Sequence, residues 1–204
     1  MFKIVEFSHY LINEFYKRNS HKDLTFIDAT CGMGNDSLYM ASLLNNRGKI
    51  ICYDIQEIAI CKTKELLLNN NYNNGIYHLT SHENFLENHA DLIIYNLGYL
   101  PTCDKSITTT SSTTLNSLKN ALNITSNNDD YLIIIVIYPG HEEGKIESEL
   151  IDNYCYNLPS NKYLVCKYLN YNRPTSPYII TISKNKNIKA SLWYFLYFRY
   201  FFAN

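Results

Sequence analysis

Short apolar runs alternate along this chain with longer stretches in which apolar side chains return every three or four positions. Ile4, Phe7, Leu11, Ile12 and Phe15 make a helical stripe over residues 4–17. Strand-like runs follow at 24–29, 48–54, 76–80, 90–96 and 131–138, with helical patterns at 36–45, 56–70, 112–124 and 142–156 between most of them. Alternation of this kind predicts an α/β fold, a mostly parallel sheet covered by helices on both faces. The run Tyr-Leu-Ile-Ile-Ile-Val-Ile-Tyr (131–138) is apolar throughout, as a strand buried on both sides should be. After the last helical pattern, residues 162–169 and 177–183 are strand-like with only 170–176 between them. No helix is available to cross over, so these two strands are expected to pair antiparallel.

A parallel sheet closed by an antiparallel hairpin is the layout of a class I, Rossmann-like methyltransferase and not of the standard dehydrogenase sheet. The 204 residues suit one full-sized domain, expected over 1–187. Beyond it, Leu192, Trp193, Phe195, Phe198, Tyr200, Phe201 and Phe202 crowd a tail over 188–204. An extra helix packed on the body or on a partner would account for that tail. A membrane-surface contact, with only Lys189 and Arg199 to flank the aromatics, and a tail unrelated to function are the other readings.

Charge adds little. A net charge of −1 gives no global field toward nucleic acid or an anionic membrane, so a polyanion has to meet a local basic patch. Lys17, Arg18, Lys22, Lys105 and Arg173 could form such a rim or a solvated surface. The six cysteines show no C-x-x-C spacing and mostly lie in apolar segments, which predicts buried free thiols in a reducing cytoplasm. The histidines form no ligand cluster, so no metal site is expected. The chain shows no signal-peptide pattern, and no apolar run reaches the ~18 residues of a membrane span.

Candidate chemistry begins at residues 28–37, Asp-Ala-Thr-Cys-Gly-Met-Gly-Asn-Asp-Ser, between the first strand and the next helix. Gly32 and Gly34 let backbone approach a ligand closely, and the helix N-terminus behind them offers unpaired N–H groups. Roughly twenty residues on, the second strand ends in Asp54, placed to accept from a ribose diol. These features point to a nucleoside cofactor, or else to a plain strand–helix turn. Ser37 stands where a dinucleotide fingerprint wants its third glycine, which favours a cofactor without phosphate such as S-adenosylmethionine (SAM). An NAD-dependent oxidoreductase is the alternative.

The fourth strand ends in Asn96-Leu97-Gly98-Tyr99-Leu100-Pro101, at the edge of the sheet where ligands bind. It resembles the [Asn/Asp]-Pro-Pro-[Tyr/Phe] signature of methyltransferases acting on nitrogen. An amine must be neutral with its lone pair aimed at the methyl, and an Asn oxygen that accepts its N–H fixes that direction. Tyr99 could stack on a base or shield the sulfonium. The tetrapeptide also fits a plain turn. His141, after Pro139-Gly140, could orient substrate, act as a base or cap a helix. Asp104 and Lys105 lie in the long loop between, functional or merely solvated. Tyr163 and Lys167 match a dehydrogenase pair by letter only, since they fall in a predicted strand.

The longer strings 96–109, 138–147 and Tyr-Asp-Ile-Gln (53–56) resemble a bacterial family of small class I methyltransferases, once labelled rRNA methylases and now assigned to tRNA. The resemblance covers roughly residues 7–184, opens on Phe7 and His9, which match the family's Phe-x-His, and closes on Asn172 and Pro177. It implies SAM-dependent conversion of 5-aminomethyl-(2-thio)uridine to the 5-methylaminomethyl form at the tRNA wobble position, with the anticodon region as partner. An rRNA or another small substrate is the alternative. The family's Asp-Ala-Thr-x-Gly-Asn-Gly-x-Asp loop matches Asp28 to Asp36, so the resemblance carries a cofactor role to Asp28, Gly32, Met33, Gly34, Asn35 and Asp36. Met33 departs from the usual Asn, and Asn35 could supply the missing amide. Asp54 and Gln56 match the ribose and adenine edge, and Ser81 and His82 the adenine end. Asn96, Tyr99 and His141 are the expected catalytic residues. A homodimer is a further expectation.

Overall fold

The computed structural model describes residues 3–97 and 111–186. In chain order the elements are α1 (Ile4–Asn19), β1 (Thr25–Asp28), α2 (Asn35–Leu44), β2 (Lys49–Asp54), α3 (Glu57–Asn69) and β3 (Gly75–Leu79). Then come β4 (Leu92–Asn96), α4 (Ser111–Thr125), β5 (Leu132–Ile137), α5 (Glu142–Tyr156), β6 (Tyr163–Tyr168) and β7 (Tyr178–Lys184). The strands form one seven-stranded sheet in the order β3-β2-β1-β4-β5-β7-β6. Pairing is parallel from β3 to β5, and β7 runs antiparallel to both β5 and β6. The expected alternation and the closing hairpin are both present.

Helices cover both faces. On one, Ile12 and Phe15 of α1, Met40 and Leu44 of α2 and Leu67 of α3 pack on Phe26, Ile50, Leu92, Ile94 and Ile134. On the other, Leu118 and Leu122 of α4 and Ile151 of α5 pack on Ile27, Ile51, Ile93, Ile133 and Ile135. Successive strand residues point to opposite faces, so this division fixes where each strand's last side chain goes. Phe26, Cys52 and Ile94 face α1–α3. Two residues after each of these come Asp28, Asp54 and Asn96, which therefore point to the same side, at the carboxyl end of the sheet. The site rests on that parity.

The α1 stripe is buried at Ile4, Phe7, Ile12 and Phe15, with Glu6 in the first turn and Lys17 and Arg18 in the last, signs that suit the helix dipole. One expectation needs correction. Cys31, Cys52 and Cys155 are buried, but Cys61 and Cys166 are exposed, because they lie on the outer side of α3 and on the edge strand β6. Tyr99, Asp104, Lys105 and the aromatic tail lie outside the described residues. Among those described, no helix is long and apolar enough to cross a membrane, and no cluster of metal-ligating side chains occurs.

Candidate active site

The loop from β1 to α2 is shaped by its glycines and held from below by Asp28. Gly32 and Gly34 have φ of 50° and 82°, the left-handed region that favours glycine. At Gly34 a Cβ would also lie 3.0 Å from the Thr63 Cα of α3, so this glycine lets two helices approach. Asp28 is wholly buried. Its Oδ2 accepts from Ser37 Oγ at 2.5 Å, and its Oδ1 accepts from the Thr30 amide at 3.3 Å. Burial pushes the Asp28 carboxyl up to about 7, and the nearby charge of Asp36 adds to the rise. Ser37 thus ties the loop to β1 instead of leaving room for a third glycine. Met33 is 42% exposed at the crest of the loop, with its sulfur 3.8 Å from Lys62 Nζ, and Asn35 is exposed at the start of α2.

A second group forms where β4 ends. Asn96 Nδ2 donates to Asp36 Oδ2 at 2.9 Å, and the other oxygen of Asp36 lies 2.7 Å from His9 Nε2 on α1. A carboxylate only accepts, so it orients both partners: the Asn96 NH2 faces Asp36, and Nε2 carries the His9 proton. Asn96 Oδ1 is left buried with no hydrogen-bond partner among the described residues. The Asn96 backbone is also pinned, because its N–H donates to Thr30 Oγ1 at 2.8 Å and its carbonyl accepts from the same hydroxyl at 3.2 Å. Tyr138, just beyond β5, is near enough for the Asp36 charge to add to the burial that raises its phenol. Thr30, His9 and Tyr138 had no assigned role in the sequence.

At the end of β2, Asp54 Oδ2 accepts from the Gly32 amide at 3.0 Å and Oδ1 from the Gln56 amide at 2.9 Å. Each carboxylate oxygen can accept more than one donor, so capacity for a diol remains. Partial burial raises the Asp54 carboxyl against the pull of these amides. Gln56 caps α3 in extended conformation. After β3, Ser81 Oγ accepts from the Glu83 amide at 3.1 Å. His82 is 5% exposed, and neither ring nitrogen has a hydrogen-bond partner among the described residues. Burial lowers its pKa to about 4, leaving a neutral ring edge-on to Tyr95. The neutral ring offers one N–H donor and one nitrogen acceptor in its plane. His141 is the N-cap of α5, with Nδ1 accepting from the Gly144 amide at 2.8 Å. Of the three expected catalytic residues, Asn96 is placed in the cluster, His141 caps a helix, and Tyr99 is not described.

These donors and acceptors fit SAM: a backbone loop without a third glycine, a carboxylate at the end of β2 able to accept from a diol, and an unpartnered amide oxygen on Asn96, whose backbone is tied to Thr30 of the loop. The strand order and this loop define a class I, SAM-dependent methyltransferase architecture. A family model described as "Putative rRNA methylase" matches residues 50–184, and the chain belongs to that family. A "putative rRNA-methylase" from Clostridium thermocellum is 30% identical with a TM-score of 0.83, covering 90% of this chain and 99% of that one. A "putative methyltransferase" from Streptococcus mutans, solved in complex with SAH, is 26% identical with a TM-score of 0.76 over the same shares, 90% and 99%. The cofactor is therefore SAM, and the NAD-dependent alternative falls. A chloroplastic tRNA (mnm(5)s(2)U34)-methyltransferase of Arabidopsis thaliana is 35% identical over 177 residues. That match takes in 80% of this chain, which spans 64% of the relative's length.

Proposed function

We propose that this chain transfers a methyl group to the primary amine of 5-aminomethyl-(2-thio)uridine at the tRNA wobble position, giving the 5-methylaminomethyl form. One observation carries the reading. Asn96 Oδ1 is a buried acceptor without a partner among the described residues, and Asp36 holds the NH2 end of its amide. Buried polar atoms are nearly always satisfied, so this oxygen is kept for a donor that arrives with a ligand. An amine N–H is such a donor. The name of the Arabidopsis relative supports the tRNA substrate.

Bound SAM supplies an electrophilic sulfonium methyl. Asp54 accepts from its ribose hydroxyls, while Gly32, Met33, Gly34 and Asn35 present loop backbone over α2. Asp28 and Asp36 hold that loop and helix from behind. Gln56, Ser81 and the neutral ring of His82 take the adenine end. Asn96 accepts one amine N–H and so aims the nitrogen lone pair. Most of the acceleration then comes from positioning, with no covalent intermediate. Tyr99 keeps the role its sequence position suggests, stacking on the target base or shielding the sulfonium, and His141 caps the start of α5.

The family description makes rRNA the second substrate to test. Purified protein and labelled SAM should be offered tRNA bearing the aminomethyl wobble nucleoside and, separately, ribosomal RNA. The reading expects label in the 5-methylaminomethyl nucleoside of tRNA alone. Label in rRNA alone would overturn it.

A further inference from the structure

We infer that His9 is a positioning residue for methyl transfer, acting through Asp36 to lock the orientation of the Asn96 amide. The inference rests on the amine-methylating role proposed for Asn96. Its geometry is a chain of two hydrogen bonds: His9 Nε2 to Asp36 Oδ1 at 2.7 Å, and Asn96 Nδ2 to Asp36 Oδ2 at 2.9 Å. Alone, the Asp36 carboxylate could swing about its terminal torsion, which is broad and roughly two-fold. His9 removes that freedom by holding Oδ1, and leaves Oδ2 for Asn96.

The ring of His9 is itself held. It stacks on Tyr39 of α2 with centroids 4.0 Å apart and planes 3° from parallel. The pair is partly shielded, with side-chain exposures of 25% for His9 and 9% for Asp36. Charge-assisted bonds in such surroundings are strong and directional. Three elements distant in sequence, α1, α2 and the end of β4, are thereby joined to fix one oxygen. A packing histidine would need no carboxylate partner, and a carboxylate that served only to cap α2 would not reach both α1 and β4.

The test compares His9→Ala and His9→Gln with wild type. Glutamine can set an amide N–H near the position of Nε2, whereas alanine cannot. Expected for His9→Ala is a roughly tenfold fall in kcat on aminomethyl tRNA, with KM for tRNA and Kd for SAM within about twofold of wild type. His9→Gln should recover most of that loss. In the substrate-free protein, the side-chain NH2 resonances of Asn96, assigned by their loss in Asn96→Ala, should shift and exchange faster in His9→Ala and return toward wild type in His9→Gln. Unchanged resonances in His9→Ala would overturn the positioning role. So would an unchanged kcat, or a kcat loss that glutamine does not repair. If wild type methylates no aminomethyl tRNA, the substrate reading fails by itself, and the resonance comparison still decides whether His9 orients Asn96.

Discussion

The middle of the sheet and its carboxyl end obey opposite rules. In β5 and β7, Ile133, Ile134, Ile135, Ile180 and Ile182 are nearly or wholly buried. Their ladder is complete, and the side chains carry nothing to satisfy. At the ends of β1 and β4 and the start of α2 the side chains are instead Asp28 and Asp36, which are buried, and Asn96, which is half-buried. One carboxyl is pushed up by burial, and one amide oxygen has no partner among the described residues. Burying such groups costs free energy that an apolar residue would not lose. The first region stabilises the fold. The second gives up stability to hold polar atoms ready for a ligand.

If that division is right, a change in each region should affect one property and spare the other. The largest effect is expected from Ile135→Ala, whose side chain is 1% exposed. It should lose about 2–5 kcal/mol of stability in urea denaturation. Affinity for SAM, measured by calorimetry where the variant is folded, should stay near wild type. Next comes Asn96→Ala, expected to cut kcat by ~10²-fold, about 2.7 kcal/mol in the transition state, while Kd for SAM changes little. Loss of SAM binding with no separate loss of turnover would make Asn96 a cofactor or structural residue.

Asp54→Ala should weaken SAM by about 1.5–3 kcal/mol, the range for hydrogen bonds to a charged group, as read by calorimetric titration. An unchanged Kd would take Asp54 out of the site. The last test reads the slope of stability with pH. The folded-state pKa of Asp28 is raised from 3.8 to about 7, so between these values the folded protein keeps a proton that the unfolded chain has released. Wild-type stability should therefore fall as pH rises through that window, and the contribution of Asp28 should be flat above it. Asp28→Asn should remove part of the fall in melting temperature between about pH 4 and 7. Equal slopes in both proteins would mean that burial of Asp28 has no such cost.

Local pattern made much of this legible in sequence. The alternation of runs and stripes announced the parallel sheet, and residues 170–176, too short for a crossover, announced the hairpin. The rule that ligands bind at the carboxyl ends of such strands marked Asp54 and Asn96, and strand parity in the structure put them on one side with Asp28. What stayed hidden was pairing at long range. His9 meets Asp36 across 27 positions and Asn96 meets it across 60. No periodicity encodes such a contact, and Phe7 and His9 entered only as letters of a family pattern. Thr30 was hidden for the same reason, since its hydroxyl serves the backbone of a residue 66 positions away. Cys61 misled because an apolar helical window does not say which face its thiol takes.

The claim that the polar end of the sheet exists to methylate a tRNA amine is tested most directly by nucleoside mass analysis of total tRNA. Cells lacking the gene should be complemented with wild type, with Asn96→Ala, or with nothing. The account predicts that the 5-methylaminomethyl wobble nucleoside is lost without the gene and replaced by its aminomethyl precursor. Wild type should restore it, and Asn96→Ala should restore little of it at equal protein level. An unchanged wobble nucleoside in cells lacking the gene, with a methyl group missing from ribosomal RNA instead, would contradict it.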